Sequence, residues 1–321
     1  MKNTVVKILY SFTASVRPVF IFLLLRHFGK SKIYYLNLVA KKLISLFDPN
    51  NIRRRTHKKI KNGNCLFEDA DGVIFELNLN EHIDFNMFIF GYFDNTIKCL
   101  IKQYLNKQTI FFIDVGANIG SISIPVSSMG VQSVAIEPSK HNYDKLLRNI
   151  DRNQSNLLTK KIALVSELTK GKEIALFSPP GNYGSSSFSP EWNPGLTENL
   201  VEFVETCTLD ALVEEIGSKL VDKLLIIKID VEGMEFEVLE GSRKTILNYR
   251  PLLVLEWRID KFEKEKGYEL INKIVSLDNY KIYALTKYLG KIVLRNFNEK
   301  SIYENILVIP TEKISLLNLG E

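Results

Sequence analysis

The segment Asp114–Gly120 has the residue types and the spacing of a cofactor-binding loop. It reads Asp-Val-Gly-Ala-Asn-Ile-Gly and follows a run of apolar, β-prone residues. Gly116 and Gly120 allow the backbone to turn sharply, and the amide groups of a helix that begins there can bind an anionic group. A dinucleotide-binding loop has glycine where this chain has Asn118, and this difference counts against an NAD site. We therefore predict a strand that ends at Asp114, a cofactor loop and a helix.

A second carboxylate stands twenty-three residues after Asp114. Glu137 closes the next β-prone segment and is followed by Pro138 and Ser139, which predict the start of a helix. In Rossmann-like units, an acid about 20 residues beyond the glycine loop accepts hydrogen bonds from ribose hydroxyls. We predict that role for Glu137, although an acid that only caps a helix would have the same appearance in the sequence.

A third group of carboxylates lies in Lys228–Glu235, where an apolar strand is followed by a helix. This segment reads Lys-Ile-Asp-Val-Glu-Gly-Met-Glu. Like charges that crowd together raise one another's pKa, which suits a general base. Asp230 and Glu232 are therefore our candidates for catalysis, and Glu256 at the end of the next strand could join them. Two alternatives stay open: the carboxylates bind a divalent cation through oxygen, or Glu232 and Glu235 only interact with the helix dipole.

Alternating strand and helix patterns position these carboxylates from residue 109 onward. The predicted strands are Ile110–Asp114, Ser133–Glu137, a segment near Leu157–Val165, Leu224–Asp230 and Leu252–Trp257. The predicted helices include Tyr143–Ile150, Leu209–Ile216 and Glu235–Leu239. A terminal hairpin and a further strand are predicted at Tyr280–Leu285, Ile292–Phe297 and Ile306–Ile309. This order predicts an α/β fold with a mostly parallel sheet and a reversed edge strand.

Charge is divided unevenly along the chain. Residues 1–62 contain fourteen Lys and Arg and one acid, Asp48, whereas the remaining residues sum to −8 within a net charge of +5. A basic segment of this kind favours an anionic partner, although a solvated helical prefix has the same composition. The apolar run Val19–Leu25 is much shorter than the roughly 20 residues that a membrane span needs. We predict a basic helical extension (1–62), a hairpin with a helical lead-in (63–108) and a main domain (109–321).

Cysteine and histidine do not form a pattern that suggests a disulfide framework or a metal site. The three cysteines and four histidines are widely separated. No Cys-x-x-Cys pair and no His-Glu-x-x-His segment occurs, so we expect a reducing compartment and no structural metal.

Residues 178–200 show little periodicity and are rich in Ser, Pro and Gly. Loops of more than about 15 residues are uncommon unless they are functional or disordered. We therefore predict a lid or substrate loop that carries Tyr183, Phe188 and Trp192, with a disordered insertion as the alternative.

Several motifs, taken in order, are similar to those of the FkbM-type methyltransferases. They are Asp-Val-Gly-Ala-Asn-Ile-Gly at 114–120, Ile-Glu-Pro-Ser at 136–139, Thr-Leu-Asp at 208–210 and Lys-Ile-Asp-Val-Glu-Gly-Met-Glu at 228–235. The segment Phe-Gly-Tyr-Phe-Asp at 90–94 resembles the lead-in of that family, which more often ends in Glu. The block at 228–235 is the most specific of these motifs.

The resemblance implies an O-methyltransferase that uses S-adenosylmethionine (SAM) and has a Rossmann-like class I fold with a seven-stranded sheet. Relatives methylate hydroxyls of sugars, polyketides or related metabolites, and several accompany polysaccharide assembly. By position, the residues implied in cofactor binding are Asp94, Asp114, Gly116, Asn118, Gly120, Glu137 and, against adenine, Ala163. Asp230 and Glu232 are the candidates beside the acceptor hydroxyl.

These observations lead to expectations about partners and location. We expect a small-molecule or glycan acceptor, no nucleic acid, and a cytoplasmic protein that contacts an anionic inner membrane surface through residues 1–62. Two alternatives stay open. One is an NAD-dependent Rossmann oxidoreductase, and the other is a non-catalytic module that tethers a complex to an anionic surface through the same basic segment.

Overall fold

The computed structural model of the chain describes residues 63–69, 71–179, 183–188, 200–258, 276, 279–288, 291–298 and 303–316. The basic segment 1–62, which we predict to be helical, lies outside these described residues. The chain divides into two compact units, Met1–Phe93 and Asp94–Glu321. The predicted division at residue 108 stays a prediction, and the second helix of the predicted lead-in belongs to the unit that begins at Asp94.

A hairpin and a helix are what the structure describes of the first unit. The predicted hairpin is confirmed, because β1 (Asn64–Glu68) pairs antiparallel with β2 (Ile74–Asn78). Helix α1 (His82–Phe90) follows and ends at Gly91, whose φ of 85° is a conformation that favours glycine.

The second unit alternates strands and helices as the sequence predicts. Its described strands are β3 (Ile110–Val115), β4 (Gln132–Ile136), β5 (Leu158–Lys160), β6 (Ala163–Leu164), β7 (Glu173–Ser178), β8 (Leu200–Cys207), β9 (Leu224–Ile229), β10 (Leu252–Arg258), β11 (Tyr280–Tyr288), β12 (Lys291–Asn296) and β13 (Tyr303–Pro310). Its described helices are α2 (Asn95–Leu105), α3 (Ser123–Ser127), α4 (Lys140–Asn153), α5 (Leu209–Ile216), α6 (Glu235–Glu240) and α7 (Arg243–Tyr249). Each strand predicted to carry a candidate carboxylate is therefore present.

The main sheet has the strand order β12-β11-β13-β10-β9-β3-β4-β5. The five strands from β10 to β5 in this order are mutually parallel, whereas β13 runs antiparallel to both of its neighbours. The Rossmann-like fold class is thus confirmed. Among the described residues the sheet has eight strands rather than the seven predicted, because both strands of the terminal hairpin join it and β13 inserts between β10 and β11.

One predicted strand is wrong in its extent. The segment Leu157–Val165 was expected to form a single strand, but only β5 belongs to the main sheet. The chain then leaves this sheet, and Ala163 pairs with Thr206 of β8 in a separate three-stranded sheet of order β6-β8-β7. The sequence pattern does not reveal this change of sheet. Both halves of the segment are extended strands, so they have the same apolar pattern whichever sheet they join.

The Thr-Leu-Asp motif at 208–210 connects two helices. The hydroxyl of Thr208 accepts a hydrogen bond from the N–H of Ala211 (3.1 Å) at the start of α5. The carboxylate of Asp210 accepts hydrogen bonds from the backbone N–H groups of Lys244 (3.0 Å) and Thr245 (2.7 Å) at the start of α7. These contacts satisfy donors that a helix leaves unpaired at its first turn, so the structure gives this motif a role in the fold.

Candidate functional site

The carboxyl ends of β4, β3 and β9 lie side by side at the point where the strand order changes direction. Strand β3 is followed in the chain by β4 on one side, while β9 pairs with its other side. In this register Asp114 stands opposite Ala135 on β4 and Lys228 on β9. Ligands of open α/β sheets bind at this edge, beyond the carboxyl ends of the strands.

Both predicted loop glycines are required by neighbouring protein atoms. Gly116 has a φ of 79°, and a Cβ there would lie 1.9 Å from the carbonyl oxygen of Asp230. Gly120 has a φ of 84°, and its Cβ would lie 2.6 Å from Ile124 and 2.7 Å from Leu146. Close packing of the loop against adjacent segments therefore adds a reason for glycine at both positions, and their role in cofactor binding stays a prediction.

The backbone N–H groups of the loop all donate hydrogen bonds within the protein. Those of Gly116 and Ala117 donate to the carbonyl of Ile136, and that of Gly120 donates to the carbonyl of Ala117. The N–H of Ile119 donates to the side-chain oxygen of Asn118 (2.8 Å). These N–H groups are therefore all satisfied within the protein.

Glu137 is attached to this loop through its carboxylate. Its Oε2 accepts a 2.8 Å hydrogen bond from the N–H of Asn118, which has a left-handed φ of 52°. Its Oε1 accepts hydrogen bonds from the N–H of Ser139 (3.0 Å) and from Nδ2 of Asn142 (3.4 Å). Burial raises the pKa of Glu137 to about 7, although these donors oppose the shift. Its role toward ribose stays a prediction.

Asp114 is fully buried, and its carboxylate has no conventional hydrogen bond. Neither oxygen accepts one of acceptable geometry, although Nζ of Lys228 lies 3.3 Å from Oδ1. The buried hydroxyl of Ser123 lies beside this carboxylate and helps to lower its pKa. Burial raises the pKa of Asp114, and the ammonium of Lys228 works against that shift. Buried polar atoms that lack a partner indicate a place where a ligand or a water completes the site.

The residue that the sequence reasoning missed is Lys228. Its ammonium lies 3.3 Å from Asp114 and 3.2 Å from Asp230, and it donates a 3.2 Å hydrogen bond to the carbonyl of Gly116. Burial by itself lowers the pKa of Lys228, but the two carboxylates reverse this and the net shift is upward. A usable signal was present, because Lys228 is the single charged residue of β9 and Asp114 is the single charged residue of β3.

The three carboxylates after β9 have separate surroundings. Glu235 is buried, and it accepts hydrogen bonds from the N–H groups of Val231 (3.2 Å) and Gly233 (3.1 Å). Burial raises the pKa of Glu235 to about 7. Asp230 lies 3.2 Å from Lys228, and its side chain is 28% exposed. Solvent or an acceptor can therefore reach this carboxylate. In the ranges that the structure describes, no three His, Cys, Asp or Glu side chains are arranged to hold a metal ion.

Glu232 occupies a strained position in the same turn. Its φ is 50°, and its backbone carbonyl accepts a 3.0 Å hydrogen bond from the hydroxyl of Ser187. Ser187 belongs to the predicted lid segment, of which the structure describes residues 183–188 between β7 and β8. Near the other end of this piece, Asn142 donates to the carbonyl of Tyr183 (3.1 Å). The piece thus connects the surroundings of Glu137 with the turn after Asp230, and Trp192 lies outside the described residues.

Asp94 and Ala163 lie in surroundings that the sequence did not predict. Asp94 begins α2, where its Oδ1 accepts a hydrogen bond from the N–H of Thr96 (2.9 Å), while its Oδ2 accepts one from Asn305 (2.8 Å). Ala163 is buried in a small apolar cluster with Val165, Leu176 and Val204. The cofactor roles of Asp94 and Ala163 stay predictions.

A model of the methyltransferase FkbM domain matches residues 114–283, which is more than half of the chain. The chain belongs to the FkbM methyltransferase family. The hexuronic acid methyltransferase AglP of Haloferax volcanii is 30% identical over 160 residues, or 50% of this chain and 60% of that protein. This chain therefore spans about three fifths of the length of that relative.

Solved structures of methyltransferases also resemble this FkbM chain. The FkbM methyltransferase of Methylobacillus flagellatus KT is 18% identical, with a TM-score of 0.39 over 62% of this chain and 43% of that chain. The magnesium protoporphyrin IX methyltransferase of Synechocystis PCC 6803 with bound SAM is 11% identical, with a TM-score of 0.36 over 67% of this chain and 77% of that chain.

Membership of this family supports SAM as the cofactor of the matched domain. The alternative of an NAD-dependent oxidoreductase is thereby set aside. The residues present fit the cofactor, because the buried carboxylate of Asp114 can accept hydrogen bonds from the α-ammonium group of SAM in addition to its ion pair with Lys228. Within the part of the chain that the structure describes, no helix has the length and apolar character needed to cross a membrane.

Proposed function

We propose that this FkbM methyltransferase transfers the methyl group of SAM to a hydroxyl oxygen of a sugar or glycan. The observation that carries the proposal is the position of Asp230. Its partly exposed carboxylate follows β9 directly and lies within 3.2 Å of Lys228, which also contacts Asp114 at the cofactor loop. A proton acceptor beside the cofactor is what a hydroxyl needs in order to act as a nucleophile.

The residues divide the work of binding and proton transfer. Bound SAM supplies an electrophilic methyl group on a positively charged sulfur. Asp114 binds the α-ammonium of the cofactor, and Glu137 holds the loop through Asn118 and accepts hydrogen bonds from the ribose. Asp230 accepts the proton of the acceptor hydroxyl as the O–C bond forms and the C–S bond breaks. Alignment of these atoms supplies much of the rate acceleration in such a transfer.

The sugar class of the acceptor is supported by the relative AglP. Its name assigns it a hexuronic acid substrate, and it aligns with half of this chain at 30% identity. Sugar hydroxyls are weak acids, so a carboxylate that removes the proton during transfer is useful with such an acceptor. Glu232 lies two residues beyond Asp230 and is the second carboxylate that we propose for this side of the site.

Methyl transfer from radiolabelled SAM to a panel of p-nitrophenyl glycosides tests the proposal. The panel contains the β-glucuronide, β-glucoside, α-mannoside and β-galactoside. We expect a methyl ether product that survives mild alkali, and a loss of turnover in Asp230→Asn of about 100-fold or more, the usual range for a general base. Asp222→Asn is the matched control, because Asp222 is an exposed residue at the opposite end of β9.

Two results would count against the proposal. A product that releases methanol in mild alkali is a carboxyl ester, and it would show that the acceptor atom is not a hydroxyl oxygen. Full turnover in Asp230→Asn would remove Asp230 as the proton acceptor and leave Glu232 as the remaining candidate in this turn.

A further inference from the structure

Asn142 lies beside Glu137 and has a side-chain oxygen without a donor. The residue belongs to the first turn of α4 and is only 2% exposed. Its Nδ2 donates hydrogen bonds to Oε1 of Glu137 (3.4 Å) and to the backbone carbonyl of Tyr183 (3.1 Å). Within the described residues, no donor reaches its Oδ1, which is also buried. The nitrogen of this amide is thus paired inside the protein, whereas its oxygen is not.

The contacts of Nδ2 determine which way the amide of Asn142 faces. Both of its partners, the carboxylate of Glu137 and the carbonyl of Tyr183, are hydrogen-bond acceptors. Exchanging the two ends of the amide would place Oδ1 against these acceptors and remove both hydrogen bonds. Oδ1 is therefore the atom that stays open to a donor, and a ligand that fits it must supply an N–H or O–H group.

A buried acceptor that lacks a donor is costly, and its position indicates where a ligand completes the hydrogen bonding. We propose that Asn142 is a further cofactor-binding residue, whose Oδ1 accepts a hydrogen bond from a ribose hydroxyl of SAM. The inference rests on the proposed function in one respect, which is that Glu137 binds the same ribose. The ribose has two adjacent hydroxyls, and the carboxylate of Glu137 and the amide oxygen of Asn142 accept one from each.

The ribose is the donor that the position of Asn142 favours. Nδ2 and Oδ1 belong to one amide, so the 3.4 Å contact keeps Oδ1 close to the carboxylate of Glu137. The other donors of the cofactor lie elsewhere in the proposed arrangement. Its α-ammonium group is bound by Asp114, and the amino group of its adenine is on the far side of the purine from the ribose.

The amide of Asn142 is also held in place by the piece 183–188 of the predicted lid. Tyr183 accepts a hydrogen bond from Nδ2, and its ring stacks on that of His141 with 3.7 Å between centroids and 16° between planes. With Glu137 on its other side, the amide has fixed partners that do not belong to the ligand. An acceptor that is already ordered costs less entropy when a hydroxyl binds to it.

Calorimetric titration with three ligands tests this contact without an acceptor substrate. The ligands are the demethylated product S-adenosylhomocysteine (SAH), 2′-deoxy-SAH and 3′-deoxy-SAH, so each analogue lacks one hydroxyl. The titrations are made at pH 8.5, above the pKa of about 7 of Glu137. In the unmodified protein we expect each analogue to bind about tenfold more weakly than SAH. This loss of affinity is the penalty for the missing hydroxyl.

Asn142→Leu should change one of the two penalties. For the analogue that lacks the hydroxyl bound by Asn142, we expect the penalty to shrink by about threefold or more, because the two partners of one hydrogen bond are then removed together. The penalty for the other analogue, whose hydroxyl Glu137 accepts, should stay within about twofold of its original value. Asn142→Ala is the second variant if Asn142→Leu does not fold.

Asn149→Leu is the matched control on the same helix. Asn149 is also a buried amide of α4, and its Nδ2 donates a 3.0 Å hydrogen bond to the carbonyl of Ile119 in the cofactor loop. A general loosening of the site in this variant would weaken all three ligands alike. Both penalties should therefore be the same in Asn149→Leu as in the unmodified protein.

The other outcomes overturn the inference in distinguishable ways. Unchanged penalties in Asn142→Leu and Asn142→Ala remove the contact and leave the ribose role of Glu137 intact. A fall in both penalties shows that Asn142 only positions Glu137. A penalty shared with S-inosylhomocysteine, which lacks the adenine amino group, and with neither deoxy analogue assigns Oδ1 to adenine instead. If the unmodified protein binds all three ligands equally, the ribose role of Glu137 in the proposed function fails as well.

Discussion

The N–H of Asn118 donates a 2.8 Å hydrogen bond to Oε2 of Glu137, and this contact joins the cofactor loop to the end of β4. Two candidate residues that are nineteen positions apart in the sequence are thus parts of one structure. The contact gives an acceptor to the N–H of Asn118, a residue with a left-handed φ of 52°. The cofactor loop and the predicted ribose-binding acid therefore depend on each other.

Replacing Glu137 should weaken cofactor binding through this dependence. We expect Glu137→Ala to raise the dissociation constant for SAH by about tenfold or more, because hydrogen bonds to a charged group contribute about 1.5–3 kcal/mol each. Glu137→Gln should lose less affinity for SAH, since its side-chain oxygen can still accept a hydrogen bond from one of the two backbone N–H groups. Calorimetric titration with SAH measures both variants. Unchanged affinity in Glu137→Ala would contradict this account of the loop.

Replacing Asp114 should affect the cationic end of the cofactor. Asp114→Asn keeps the size of the side chain but removes the charge that we propose binds the α-ammonium of SAM. We expect the dissociation constant for SAM to rise by about tenfold, in line with the strength of a charged hydrogen bond. Asp222→Asn, at an exposed turn, should bind SAM as the unmodified protein does. Equal binding by both variants would rule out the assignment of Asp114.

Gly116 offers a test of the packing explanation with a matched control. Gly116→Ala places a Cβ 1.9 Å from the backbone carbonyl of Asp230, whereas Gly130 has a similar φ of 81° and nothing within 4 Å of its Cβ position. We expect Gly130→Ala to lower the free energy of unfolding by about 1 kcal/mol, from strain at a positive φ alone. Gly116→Ala should lower the free energy of unfolding by clearly more than Gly130→Ala does, as measured by urea denaturation. Equal decreases in the free energy of unfolding would show that the backbone at Asp230 moves to accommodate the added Cβ.

Glu235 should leave a signature in the pH dependence of stability. Its folded-state pKa is raised from 4.5 to about 7, so the native state holds a proton that the unfolded state has released between these values. The free energy of unfolding should therefore fall as the pH rises from about 4.5 to about 7, by on the order of 1–3 kcal/mol. Glu235→Gln should lack this component of the slope.

The control for this prediction is Glu237→Gln on the same helix, α6. Urea denaturation of the three proteins at several pH values between 5 and 8 gives the comparison. A slope in Glu235→Gln that equals that of the unmodified protein would contradict burial of Glu235 as the cause.

The basic segment gives a prediction about anionic surfaces. Residues 1–62 carry a net charge of +13, and Arg53, Arg54 and Arg55 are consecutive within them. We expect the full chain to sediment with vesicles that contain phosphatidylserine and not with neutral phosphatidylcholine vesicles, with binding that weakens as salt is raised. Replacing the three arginines by glutamine should reduce binding. Equal binding to both vesicle types would remove the electrostatic contact.

The sequence was sufficient for the main elements of the sheet because local signals coincide there. Apolar runs that end in Asp114, Glu137 and Asp230 mark the strands whose carboxyl ends meet, and each strand was found within one or two residues of its predicted bounds. The strand predicted at Leu157–Val165 was divided between two sheets, because pairing partners are chosen by tertiary contacts that an extended segment does not encode locally.

The site shows the same division between local and long-range information. By itself, the sequence determined the family motifs, the glycine loop, the acid at Glu137 and the presence of several carboxylates after β9. Only the tertiary structure decided which of those carboxylates is available, since Glu235 is turned inward to cap its own turn while Asp230 stays partly exposed. It also decided the role of Lys228, because a lysine 114 residues after Asp114 becomes its partner only when two parallel strands pair in register.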